Sequence, residues 1–147
     1  MSSKGLFTYT TTIEPQKTVA EIQVELISHG AKSILLNYDR DQNIESISFM
    51  IDSPYGNMGI KLPCNPKPVL EVLKRQHVAK KYLDEHHALR VAWRIILYWV
   101  KAQMAILDTD MVRMEQIFLP YIVNKDGKTL YEKLADSRFQ ITDGSKK

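Results

Sequence analysis

Asp84-Glu85-His86-His87 puts two acids and two imidazoles in one unbroken run, the residue types that hold a metal ion. Metal binding needs such groups to converge on one point. Neighbouring side chains on a helix face different directions, so His86 and His87 are no ready-made chelate. No His-Glu-x-x-His spacing accompanies them, and the run reads as the solvated acidic start of a helix. Cys64, the single cysteine, sits in Pro63-Cys64-Asn65-Pro66, just ahead of a helix start that could lower a thiol pKa. With His77 or His86 beside it, it could act as a nucleophile, but no third group or oxyanion motif accompanies it. A packed cysteine is the expectation. Asp39, Asp41, Asp52 and Asp126 fall in or beside turns, where turn chemistry explains them. Asp108 and Asp110 fall at a helix end. Gly56 and Gly59 are hairpin glycines and not part of a phosphate-binding loop. No catalytic residue, metal or cofactor is expected, so the chain does not read as an enzyme.

The remaining chemistry is cationic. Lys74, Arg75, Lys80, Lys81, Arg90, Arg94 and Lys101 come from two consecutive helical segments. If those helices form a hairpin, the side chains line one ridge and contact the phosphates of DNA or RNA, with Arg90 and Arg94 central. The competing reading is a solvated helix face, partly paired with Glu71, Asp84 and Glu85. The formal net charge of +3, from 20 Lys and Arg against 17 Asp and Glu, is too small to decide between them. Trp93 and Trp99 could stack on bases, but their helical spacing among Leu89, Ile96 and Val100 favours a core.

The elements that must position these residues follow from periodicity. Phe7, Tyr9, Thr11 and Ile13 alternate with threonines, a strand pattern closed by Pro15. Thr18 and Glu21 form a capping box, opening a helix that Gly30 stops. Segments 32–38, 44–51 and 58–62 then alternate as an antiparallel meander with one buried face. Ile34, Leu36 and Tyr38 share that face with Ile47, Phe49 and Ile51. Asn65-Pro66 starts the next helix. The longest helix runs from about Asp84 to Leu107 and is apolar around most of its circumference, so it is central or packs on another copy of itself. A short helix over 114–119 precedes a second capping box, Thr129 to Glu132, which opens a helix through about Ala135. The expected fold class is α+β: a β-α-β-β-β antiparallel sheet followed by a helical C-terminal half with one long central helix.

With 147 residues the chain is long enough for one self-supporting domain, placed here at 7–136 between a flexible 1–6 and a polar, flexible 137–147. Hydrophobic residues at 44% exclude wholesale disorder. Met1 to Gly5 has no signal-peptide core. The longest apolar run, Ile95 to Val100, is too short to span a bilayer. One cysteine gives no intrachain disulfide. A cytoplasmic protein without a membrane partner is the expectation, its partners being nucleic acid, a host protein or further copies of itself.

Tyr9-Thr10-Thr11-Thr12-Ile13, Val19-Ala20-Glu21-Ile22-Gln23, His29-Gly30-Ala31, Arg90-Val91-Ala92-Trp93-Arg94 and Phe118-Leu119-Pro120-Tyr121 together resemble uncharacterised small proteins encoded in bacterial, phage and plasmid-like genomes. The resemblance covers most of the chain and implies a mobile-DNA setting, with no activity attached. The element order is more loosely similar to the core of phage single-strand annealing proteins and to double-stranded-RNA-binding domains, with no diagnostic motif of either. From this comes the expectation of a non-enzymatic nucleic-acid-binding accessory protein. The alternative is an interaction or oligomeric assembly module without nucleic-acid binding.

Overall fold

Pro15 opens a helix instead of closing a strand. In the computed structural model, which describes residues 5–141, helix α1 runs Pro15–Ser28 with Glu14 as its cap residue. Proline suits that first position because its missing N–H would have no helical partner there. Thr18 therefore lies inside the helix, buried, and the expected Thr18–Glu21 capping box is not made. Gly30, at φ +109°, follows the helix end as its spacing predicts.

The strand expected over Phe7–Ile13 is a pair of turns. Tyr9 N donates to Leu6 O (2.9 Å) and Thr11 N to Thr8 O (3.0 Å), with Thr8 at φ +64°. Alternation favours a strand only where a neighbouring strand can pair with it. Here the aromatic side chains turn to helical neighbours. The ring of Phe7 lies 5.3 Å from that of Tyr98, and Tyr9 lies 5.4 Å from Tyr82. The ends expected to be flexible fall partly on residues 1–4 and 142–147, which lie outside the described residues.

After α1 come β1 (Ser33–Tyr38), β2 (Ile44–Ser53), β3 (Gly56–Pro63), α2 (Pro66–Arg75), α3 (Glu85–Asp108), α4 (Met114–Ile117), β4 (Ile122–Val123) and α5 (Leu130–Asp136). Short 3-10 turns occupy Lys80–Tyr82 and Leu119–Tyr121. The class is α+β with a four-stranded antiparallel sheet, ordered β1-β2-β3-β4. The fourth strand comes from the C-terminal half, which corrects the expected β-α-β-β-β order. Asn65 caps α2 by accepting from Lys67 N at 3.1 Å. At α5, Thr129 and Glu132 exchange both bonds of the capping box (2.8 and 3.2 Å).

One face of the sheet carries the core. Ile47, Phe49 and Ile51 of β2 and Ile60 and Leu62 of β3 meet Val19, Ile22 and Leu26 of α1 and Leu89, Trp93 and Leu97 of α3. Trp93 is fully buried, and its Nε1–H donates to Ile44 O at 3.2 Å, so it is core and not a stacking platform. A register shift between Asn37 and Tyr38 pairs Tyr38 with Ile44. One extra residue reverses strand parity, which lets Ile44 and Ile47, three positions apart, both be buried. Tyr38, expected on the buried face, is 54% exposed. Among the described residues no helix is long and apolar enough to cross a membrane.

Candidate functional site

Helices α1 and α3 lie side by side in parallel, joined by three polar rungs. Glu14 accepts from Arg90 Nη1 and bonds His86 Nε2, each at 2.8 Å. Glu21 accepts from Arg94 Nη1 at 2.9 Å, with Thr18 Oγ1 at 3.4 Å from the same nitrogen. His29 Nε2 meets Asp108 at 2.9 Å near both helix ends. The two arginines placed at the centre of the expected phosphate-contacting ridge thus hold α1 onto α3. Arg94 sits with its guanidinium 5.5 Å from the Tyr98 ring and its side chain only 10% exposed.

His87 closes the same corner. Arg90 Nη2 lies 3.3 Å from His87 Nδ1, and an arginine N–H only donates, so Nδ1 accepts. The proton then sits on Nε2, which donates to Tyr9 O and ties the N-terminal turns to α3. The paired histidines face different partners, as helical geometry requires. Among the described residues no group of three metal-ligating side chains assembles. Cys64 is buried, and burial pushes its thiol up to about 12, the opposite of an activated nucleophile.

Of the seven cations, Arg90 and Arg94 are engaged with α1 and the other five are exposed. Lys101 is exposed but lies sixteen residues beyond the start of α3, about 24 Å along the axis. Lys74 and Arg75 end α2, where cations suit the negative helix terminus. Lys80 and Lys81 follow in the turn before α3. These four are exposed, within eight residues of one another, and none has an ion-pair partner among the described residues. The pairing expected from Asp84 is absent because that carboxylate caps α3, accepting from His87 N at 2.8 Å. Helix α3 packs on α1, α2 and the sheet and exposes Tyr98, Lys101, Ala102 and Ala105 along its length and Glu85, His86 and Asp108 at its ends. Its half-buried Ile95, Ile96 and Trp99 line a shallow apolar pocket of ≈ 260 Å³ with Leu62, Pro63 and Tyr121.

The sequence reading missed the outer face of the sheet. Cross-strand register puts Leu35, Ser48 and Lys61 in one row and Ser33, Met50, Gly59 and Val123 in the next. Leu35 is 61% exposed and Met50 37%. Gly59 leaves a gap where a Cβ would meet nothing within 4 Å. The result is a shallow, mainly apolar depression of ≈ 400 Å³. It reaches the edge of β1, unpaired among the described residues, a six-residue strand with neither charge nor proline. The legible signal was two large apolar residues, Leu35 and Met50, at positions where alternation calls for polar ones. No family model, curated protein or solved structure matches the chain.

Proposed function

We propose that the chain is a non-enzymatic assembly module that associates through the outer face and free edge of its sheet. The observation that carries this is Leu35, exposed on an uncharged edge strand beside Met50. Sheet edges that must stay unpaired are usually short, charged, interrupted by proline or covered. β1 carries no charge or proline and no strand covers it among the described residues, its one irregularity being the bulge at Asn37/Tyr38, and its apolar surface continues inward across the depression. Much of the apolar surface that motivates association through α3 is packed against its own chain, which favours the sheet edge over α3 as the contact. Light scattering on a size-exclusion column, run over a wide concentration range, tests the proposal. Mass above that of one chain at high concentration is expected. A strictly monomeric mass throughout contradicts it.

The four exposed cations at 74–81, without ion-pair partners among the described residues, favour a second reading, nucleic-acid binding at the α2–α3 corner. Binding of DNA or RNA would then weaken with salt, with a logarithmic slope of at most about −4 for four phosphate contacts. Replacing Lys74, Arg75, Lys80 and Lys81 together by glutamine would abolish it, whereas Lys101→Gln would not. Absence of any polarisation change with single- or double-stranded DNA or RNA at low salt ends this reading.

A further inference from the structure

We propose that β1 pairs antiparallel with β1 of a second copy across a two-fold axis at Leu35, joining two four-stranded sheets into one of eight strands. This rests on the assembly reading and names its partner and register.

A two-fold axis perpendicular to the sheet keeps the helix-covered and open faces continuous. Directly opposite residues then share a face, so each residue meets one of its own parity. Centring on Leu35 places it against the partner's Leu35 on the open face. Ser33 falls opposite the partner's Asn37, where a hydroxyl and an amide can hydrogen-bond. On the covered face Ile34 falls opposite the partner's Leu36, and symmetry repeats the contact. Both residues are only half-buried in the single chain because the inner layer ends at this edge. The pairing therefore extends the core exactly where it thins, without disturbing it.

Neighbouring registers are poorer. Centring on Leu36 sets Lys32 opposite the partner's Arg40, and like charges directly opposite are destabilising. Centring on Ile34 sets Ser33 opposite the partner's Leu35 and Lys32 opposite the partner's Leu36, matching polar residues with apolar ones. The Leu35 register alone puts no charge opposite a like charge and no apolar residue of 33–37 opposite a polar one. The other sheet edge cannot repeat the contact. β4 has two residues, and Val123 already bridges to Thr129. Pairing closes at a dimer and does not run on into a fibre.

Leu35→Cys in the full chain tests the register. Opposite Cα atoms in an antiparallel pair lie about 4.5–5.5 Å apart, within the reach of a disulfide. Buried Cys64 leaves the new thiol as the reactive one. Mild oxidation with diamide is expected to give a covalent dimer of Leu35→Cys and none of Lys61→Cys, an exposed site two strands from the edge. Leu35→Lys, at a position exposed enough to keep the native circular dichroism, is expected to give a monomeric mass. A wild-type dimer by light scattering with no Leu35→Cys cross-link, or equal cross-linking of Lys61→Cys, overturns the β1 pairing and leaves association through the outer face standing; a Leu35→Lys chain that still dimerises overturns the pairing and the Leu35 surface with it. A wild-type monomer at every concentration overturns the pairing and the assembly reading.

Discussion

Removing the Arg94–Glu21 pair separates a structural arginine from a ligand-binding one. Arg94→Met keeps the aliphatic stem in place and deletes the guanidinium, which bonds Glu21 at 2.9 Å. Exposed pairs contribute about 0–1 kcal/mol, and breaking a fully buried one costs about 3–5 kcal/mol. This pair lies between those limits, with side-chain exposures of 10% for Arg94 and 36% for Glu21. Glu21 can rehydrate once abandoned, so Arg94→Met should cost about 1–2 kcal/mol, a fall in Tm of about 2–8 °C for a chain of this size. In a double-mutant cycle with Glu21→Gln, the coupling should be about 1 kcal/mol. Urea unfolding followed by circular dichroism measures all four chains. A coupling indistinguishable from zero, with Arg94→Met as stable as the wild type, would refute the structural role.

Two titrations should make the α1–α3 seam pH-dependent. The His29 pKa is raised, chiefly by its hydrogen bond to Glu25 O and also by Asp108, against desolvation. Its contribution is full below the ordinary 6.5 and is lost as pH rises through the higher folded value. The Glu14 pKa is lowered, chiefly by its hydrogen bond with His86 and then by Arg90. Its contribution is full above the ordinary 4.5 and is lost as pH falls through the lower folded value. Tm against pH should therefore be flattest between these values; His29→Gln should remove part of the alkaline fall and Glu14→Gln part of the acid one. Unchanged profiles in both variants would show that the seam does not set the pH response. Cys64 should resist Ellman's reagent at pH 8 in the native chain and react fully in denaturant; rapid native labelling would contradict its burial.

Local chemistry made much of this fold legible. The meander, the Asn65-Pro66 helix start, the Thr129–Glu132 box and Gly30 each depend on residues within a few positions of one another. The misread elements depend on distant partners. Phe7 to Ile13 alternates like a strand, yet its aromatic rings pack on Tyr82 and Tyr98. Thr18 and Glu21 spell a capping box, yet both side chains serve Arg94, more than seventy residues away. β4 is two residues long, too short for any periodic signal. Arg90 and Arg94 looked free because nothing near them in sequence announces Glu14 and Glu21. Leu35 and Met50 were hidden by the stronger alternation of the buried face, which drew attention to Ile34, Leu36, Ile47 and Phe49.

Amide hydrogen exchange across Ser33–Tyr38, measured at low and at high protein concentration, probes the free edge itself. Alternate amides of an edge strand point away from its one neighbour and exchange readily in a single chain. If β1 pairs with a second copy, those amides slow as concentration rises, and Leu35→Lys abolishes the slowing. Rates that stay the same from dilute to concentrated solution would show that the edge remains unpaired and would contradict assembly through β1.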